Sequence, residues 1–400
     1  MSELFSNPKL SFLMLVALFL VAALALQGVR EAAAPWTALG PWASPLSPDR
    51  AVVSWWGEES KGMVEYGPAD DYAGTGILPE AAPGEGEEEE LQAATLSGLT
   101  PGTRYAYRVR LGRSVSPVCY FSVPPEEFRP FTFLVYGDTR THYDHHALVT
   151  ARMAEEDAEF VVHVGDLIES PTQGEWQAFL SSASPLLHTM SFLCVIGNHE
   201  RNSRTYYDLF SLPEGGGKFG EQWWSIRWGE VLLVGLDSNL QYLKLTGLKK
   251  ETDWLREVLS QEARYKFIFF HHPLYSSDPY YGDDESLAKL WAPIFREAGV
   301  TAIFVGHCHN YEHVVRDGLH EFVTGGGGAP LSPLSPERVE GSVLGIENVL
   351  HYLRVTVAVD GVRVEMVPVA RVEGGAAVPL PGDPMEKVEL APAGVAVGSR

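Results

Sequence analysis

Between residues 131 and 310, five apolar runs of strand length each break off into a cluster rich in glycine, aspartate, asparagine or histidine. The runs are Phe131–Val135, Phe160–Val164, Phe192–Ile196, Phe267–Phe270 and Ala302–Val305. The clusters that end them are Gly137-Asp138, Gly165-Asp166, Gly197-Asn198-His199-Glu200, His271-His272-Pro273 and Gly306-His307-Cys308-His309. Short apolar runs bounded by turn residues read as buried strands. The stretches between them, Ala147–Glu156, Glu175–Leu187, Thr252–Glu262 and Ser286–Glu297, read as helices. Strands that alternate with helices predict an α/β domain. In such sheets, ligand-binding groups gather beyond the carboxyl ends of the strands. One Gly-Asp after a strand is only a turn signal. Five polar clusters, each at a strand end, predict a single convergent site.

The rest of the chain has a different rhythm. From Ala51 to about Pro125 short strands alternate with turns, as in Ala51–Trp56 and Gly62–Tyr66. Glu85–Glu90 is an acidic run that reads as a solvated loop. The stretch Leu96-Ser-Gly-Leu99-Thr-Pro-Gly-Thr-Arg-Tyr105-Ala-Tyr107-Arg-Val109 resembles the fibronectin type III pattern. In that pattern a tyrosine after a proline-containing turn locks the corner of a β-sandwich. Residues 35–48 are proline-rich and read as a linker. Tyr352–Val359 and Val362–Val369, joined by Asp360-Gly361, give a hairpin signal. Beyond Glu373 the chain is rich in glycine, proline, alanine and valine, and reads as a loose tail. The domain reading is a signal peptide or membrane anchor over 1–34, a sandwich over 35–126, the α/β domain over 127–372 and a low-complexity C-terminal tail over 373–400.

Net charge narrows the partners. At −22, the chain is a poor candidate for binding a nucleic-acid duplex, which needs a basic face. A small phosphorylated substrate remains compatible, because bound cations reverse the local field. Cys119, Cys194 and Cys308 form no CxxC pair, so the zinc knuckle and the dithiol redox motif are not suggested. Leu10–Leu26 is almost wholly apolar and follows Lys9. It predicts an extracytoplasmic protein that is secreted, periplasmic or tethered to a membrane through residues 10–26.

The order GD…GD…GNHE…HxP…GHxH is similar to that of the calcineurin-like metallophosphoesterases. The sandwich in front, and Gly325-Gly-Gly-Gly328-Ala-Pro330 after a strand, resemble the purple acid phosphatases and their bacterial relatives. The resemblance covers about residues 50–370. It implies a four-layer αββα domain preceded by an all-β fibronectin-like sandwich. It also implies two divalent metal ions, manganese, iron or zinc, that activate a bridging hydroxide against a phosphate ester. Asp166 would bridge the metals, Asp138 and His309 would hold the first, and Asn198, His271 and His307 would complete the second. His199 would be the general acid, and Glu200 would orient its ring.

Two positions depart from the family pattern. Arg140 stands where many relatives carry a metal-binding histidine, and Glu169 stands where the purple enzymes place a tyrosine. Arg140 is suited either to gripping a substrate phosphate through its fork of donors or to a structural salt bridge. Glu169 is either a replacement oxygen ligand or a group behind the ligands. His142, His145, His146 and His313 read as structural or surface residues, and Glu312 as packing. Tyr275–Asp284 with Tyr280 and Tyr281, and Trp223 with Trp224, read either as pocket lining or as packing. Two alternatives accompany phosphate ester hydrolysis: a specialised phosphodiesterase or nucleotidase, and a non-catalytic cell-surface binding protein on a degenerate phosphatase fold.

Overall fold

The computed structural model describes residues 34–57, 62–85 and 91–391. The segment read as a signal peptide or anchor lies outside them, apart from Ala34. So does most of the acidic run. Among the described residues no helix is long and apolar enough to cross a membrane.

Two β-sheets build the front of the chain. One holds Leu39–Ser47, Arg50–Trp56 and Leu91–Ser97. The other holds Glu80–Pro83, Gly62–Pro68, Arg104–Leu111, Ser114–Val115 and Cys119–Ser122. Alternate residues point inward, so Val53, Trp55, Leu96, Tyr107, Val109 and Phe121 form one buried cluster. The Tyr105 hydroxyl accepts a hydrogen bond from the Thr100 amide at 2.8 Å, which ties the strand to the turn before it.

Behind this lies the four-layer αββα domain. Its first sheet runs in the order Ser191–Cys194, Phe160–His163, Phe131–Tyr136, Val349–Val357, Val362–Glu373, Ala376–Pro379. Its second sheet is centred on the parallel strands Val231–Gly235, Tyr265–Phe269 and Ala302–Val305. The sheets face each other through aromatic rings: Phe133 lies 5.3 Å from Phe267 and 6.2 Å from Phe304, centroid to centroid. Helices Tyr143–Met153 and Gln173–Leu187 cover the first sheet through Val149, Met153, Phe179 and Leu186. Helices Leu240–Leu259 and Glu285–Glu297 cover the second. Leu287, Trp291, Ile294 and Phe295 form the buried stripe of the last helix, and the Asp284 carboxylate caps it by accepting the Ser286 and Leu287 amides.

Two expectations are corrected here and one alternative is resolved. The proline-rich stretch read as a linker contains the edge strand Leu39–Ser47, where proline costs no ladder bond on the open side. Its Trp42 is fully buried in the core of the α/β domain and donates its indole N–H to the Leu209 carbonyl at 3.0 Å. The tail is not loose up to residue 391: Ala376–Pro379 and Glu386–Leu390 both pair with Val362–Glu373. Glu386 also bonds Tyr311 and lies 3.0 Å from His313 of the second sheet, so the returning strand clasps both sheets. Of the two readings for Trp223 and Trp224, packing is the one observed: both are core residues, and the Trp224 indole donates to the Cys194 carbonyl at 2.9 Å.

Two stability tests follow. Leu390→Ala should lower the unfolding free energy by about 2–4 kcal/mol in a denaturant titration, as for other buried leucines; a loose tail would show no change. The second concerns Glu251, on helix Leu240–Leu259. One oxygen accepts the Asp237 amide at 2.7 Å, and the other has no partner. Burial, and then the charge of Asp237, push its carboxyl well above the usual range. The folded state therefore holds a proton that the unfolded chain releases above about pH 4.3, so this residue costs stability as pH rises. Glu251→Gln should stabilise the protein by about 1–3 kcal/mol at pH 8 and by less at pH 5, measured by thermal unfolding.

Candidate metal centre

Parallel strands end on the same side of their sheet. In the first sheet Phe131–Tyr136 delivers Asp138, Phe160–His163 delivers Asp166, and Ser191–Cys194 delivers Asn198, His199 and Glu200. In the second, Tyr265–Phe269 delivers His271, and Ala302–Val305 delivers His307 and His309. Asp138, Asp166 and His307 all turn off their strands with positive φ, at 59°, 57° and 68°. Side chains other than glycine rarely accept this conformation, and it is tolerated where surrounding contacts hold it. Here the His307 amide donates to Asp138 Oδ2 at 2.9 Å and the His199 amide donates to Asp166 Oδ1 at 3.0 Å. A Cβ on Gly306 would stand 2.4 Å from Asp138 Oδ2, and one on Gly197 would stand 2.3 Å from Asp166 Oδ1. Glycine at these two places lets the strand ends close on the carboxylates.

All six residues expected to hold metals come together. His271 Nε2 lies 3.1 Å from Asn198 Oδ1, 3.3 Å from Asp166 Oδ1 and 3.3 Å from His307 Nδ1. Its other nitrogen, Nδ1, donates to the Val164 carbonyl at 2.9 Å, which fixes the tautomer and aims Nε2 at the site. On the other side, His309 Nε2 lies 3.6 Å from Asp138 Oδ1, and each is buried without a hydrogen-bond partner. His309 Nδ1 donates to the Pro330 carbonyl at 2.7 Å, again turning Nε2 inward.

These residues fit metal ions. Donor atoms about 2.0–2.1 Å from a tetrahedral ion lie roughly 3.3 Å from one another, which is the spacing around His271 Nε2. The two unpartnered buried atoms, Asp138 Oδ1 and His309 Nε2, are what a cation would satisfy on the other side. The charges agree. Burial, and then the neighbouring Asp166, raise the carboxyl of Asp138. Burial would also raise Asp166, but the charge of His271 and its hydrogen bond hold it below the carboxylate range. Burial would depress His271, yet Asp166 and Asp138 push it up to about 9. The ion-free site thus keeps a proton on the imidazole that a metal would displace.

The expected catalytic pair separates. His199 Nδ1 bonds the Glu169 carbonyl at 2.7 Å, and its Nε2 lies 3.9 Å from Asp166 Oδ2. Glu200 does not orient that ring. Its carboxylate turns the other way and accepts the amides of Gly197, Leu167, Asp166 and Ile168 at 2.7–3.3 Å. It welds the Asn198 turn to the Asp166 loop.

Arg140 and Glu169, both departures from the family pattern, bond each other directly. The salt bridge foreseen for Arg140 is thus formed, with Glu169 as its partner. Its Nε also lies 3.6 Å from Asp166 Oδ2.

Sequence reasoning left two supports unassigned. The Ser238 hydroxyl accepts the amides of His271 and His272 and lies 2.8 Å from His272 Nδ1, so it donates its proton there. The ring nitrogens of His271, His272 and His307 lie within 4.8 Å of one another. The Tyr281 ring lies 4.8 Å from that of His309 and 5.1 Å from that of His307. Three buried carboxylates hold its loop: Glu321 accepts the Leu274 and Tyr275 amides, Glu312 the Ser277 amide, and Asp278 the Tyr280 and Tyr281 amides. In the sequence Glu312 stood near a ligand motif and read as packing, and nothing singled out Glu321 or Asp278.

Comparison with known proteins identifies the two domains. Residues 131–311 match the calcineurin-like phosphoesterase family, and residues 42–123 match the purple acid phosphatase N-terminal domain. The chain carries a calcineurin-like metallophosphoesterase domain behind a purple acid phosphatase N-terminal domain. A purple acid phosphatase of Glycine max is 24% identical over 250 residues, 56% of this chain and 53% of that protein. Probable inactive purple acid phosphatase 24 of Arabidopsis thaliana is 25% identical over 225 residues, 45% of this chain and 36% of that protein. The chain thus spans about half or less of the length of these curated relatives. The solved purple acid phosphatase from yellow lupin (Lupinus luteus) seeds superposes with a TM-score of 0.70 at 17% identity, over 86% of this chain and 74% of that one. The fold is shared.

Metal affinity should depend on pH with a defined sign. His271 ligates only when neutral, and in the ion-free site it holds its proton up to about pH 9. Affinity for zinc should therefore rise as pH rises from 6 towards 9, by about tenfold per unit for each proton displaced. Calorimetry in buffers of different ionisation enthalpy should show proton release at pH 7. A pH-independent affinity would place the ion elsewhere.

Proposed function

We propose that this chain hydrolyses phosphate esters of small molecules at the centre formed by Asp138, Asp166, Asn198, His271, His307 and His309. The observation that carries this reading is the convergence of these six side chains, with His199 beside them, at the ends of two facing sheets. Divalent ions held there would activate water and neutralise phosphoryl oxygens.

His199 is suited to proton delivery rather than to binding an ion. Its Nδ1 is committed to the Glu169 carbonyl, so Nε2 is the nitrogen that faces the centre. A proton on Nε2 would pass to the departing alkoxide as the ester bond breaks. Asp166, with Oδ1 towards His271 and Oδ2 towards Arg140 and His199, supports the reading of one carboxylate shared between two ions. We assign the front domain a structural role, because Trp42 anchors it in the neighbouring core. The apolar run Leu10–Leu26 supports export.

A non-catalytic reading has one observation in its favour: three relatives are named as probable inactive purple acid phosphatases. Aryl phosphomonoesters and bis-aryl phosphodiesters, assayed with manganese, iron(II) and zinc, decide between them. Metal binding without hydrolysis would favour the binding protein. The sharper test is His199→Ala, with metal content measured in parallel. Both ions should stay, and the rate should fall about 10²–10⁴-fold on an alkyl phosphate. The loss should be smaller on a nitrophenyl phosphate, whose leaving group needs no proton. Loss of a metal, or an equal loss on both substrates, would overturn the general-acid role.

A further inference from the structure

The two halves of the centre are unequal. Around His271 Nε2 four donors converge, from Asp166, Asn198, His271 itself and His307, at spacings of 3.1–3.3 Å. The other half offers three side chains, Asp138, His309 and the shared Asp166, and a guanidinium stands beside them. The two oxygens of Asp166 face different neighbours. Oδ1 faces His271 and the His199 amide, while Oδ2 has Arg140 Nε 3.6 Å away. An ion held by Asp138 and His309 and bridged through Oδ2 would share that oxygen with a cation that cannot lose its proton.

Glu169 offsets that charge only from the rim. The Arg140 side chain is only 11% exposed, whereas Glu169, its partner, is 44% exposed at the rim. Glu169 also receives the Thr141 hydroxyl at 3.0 Å, so its carboxylate is held against the guanidinium and is committed there. Like charges repel more strongly where water is excluded. From these contacts we propose that the chain holds its two ions unequally: a resident ion among Asp166, Asn198, His271 and His307, and an exchangeable ion at Asp138 and His309, kept exchangeable by Arg140. This rests on the metal-centre reading above and adds an order of loading to it. The exchangeable half would then respond to the free metal concentration, and the resident half would not.

The test uses the full chain, stripped with a chelator, titrated with zinc by calorimetry and desalted before its metal content is measured. The wild type should show two steps separated by about 10²-fold or more, because even a group behind the ligands changes metal affinity 10–100-fold, and one ion should survive desalting. Arg140→Gln removes the charge and should narrow the gap by at least about tenfold. Arg140→His adds a ligand and should leave two ions after desalting. Arg140→Lys keeps the charge and should keep the gap, which preserves the test if the glutamine variant does not fold. Asn198→Ala should abolish the tight step. Two equal steps in the wild type, an unchanged gap in Arg140→Gln or Arg140→His, or a closed gap in Arg140→Lys would overturn the proposal. A wild type that binds no zinc would remove the metal-centre reading itself, and this one with it.

Discussion

Asp138 and Asp166 lie fully buried, with carboxylate oxygens and a His271 nitrogen within 4.8 Å of one another. Two carboxylates so close and so dry repel each other, and burial alone would protonate one of them. The protein answers with positive charge and with amides. His271 keeps a proton, the Arg140 guanidinium stands against Asp166, and the His307 and His199 amides donate to the two carboxylates. Cations that replaced the imidazole proton would meet the same demand more completely. The geometry around them is set by this requirement.

That demand reaches back into the backbone. Each carboxylate sits on a residue with positive φ, a conformation that would relax if the neighbouring chain let go. Glu200 prevents this by gathering four amides from two strand ends into one carboxylate. Glu312 and Glu321 do similar work on the second sheet, fixing the loop that carries Tyr281. Part of the chain's acidity is thus internal, as acceptors for loop amides, and says nothing about its surface.

What the sequence showed follows from where polarity was forced. Strands buried on both faces are apolar throughout, so Phe131–Tyr136 and Ala302–Val305 stood out, and so did the ligands that interrupt them. Edge strands carry no such signal. Leu39–Ser47 has two prolines, and Ala376–Pro379 sits among glycine and proline; each is a strand only because a partner is there to pair with it. Orientation was equally hidden. Glu200 is next to His199 in sequence, but the turn sends one side chain into the site and the other behind it. Trp223 and Trp224 show the same limit: aromatic residues near a site serve the core as readily as the pocket.

The contact between Arg140 and Glu169 spans 29 positions, so neither residue announces the other. Their charges cancel in sum, although the guanidinium is the more buried of the two and stands against Asp166. The remaining charged ligands are Asp138 and Asp166, since Asn198 and the three histidines are neutral when they bind an ion. Two divalent ions bring four positive charges, of which the carboxylates cancel two. A bridging hydroxide would cancel a third, which leaves about one positive charge to meet an anionic phosphate ester. A trivalent ion would leave an uncompensated charge in a buried site, where it costs most, unless an anionic ligand such as a phenolate joined it. With glutamate at position 169 already committed to arginine, that extra anion is missing. A divalent pair would thus leave the centre slightly positive, and a trivalent ion would leave it more so, with no phenolate at position 169 to offset the difference.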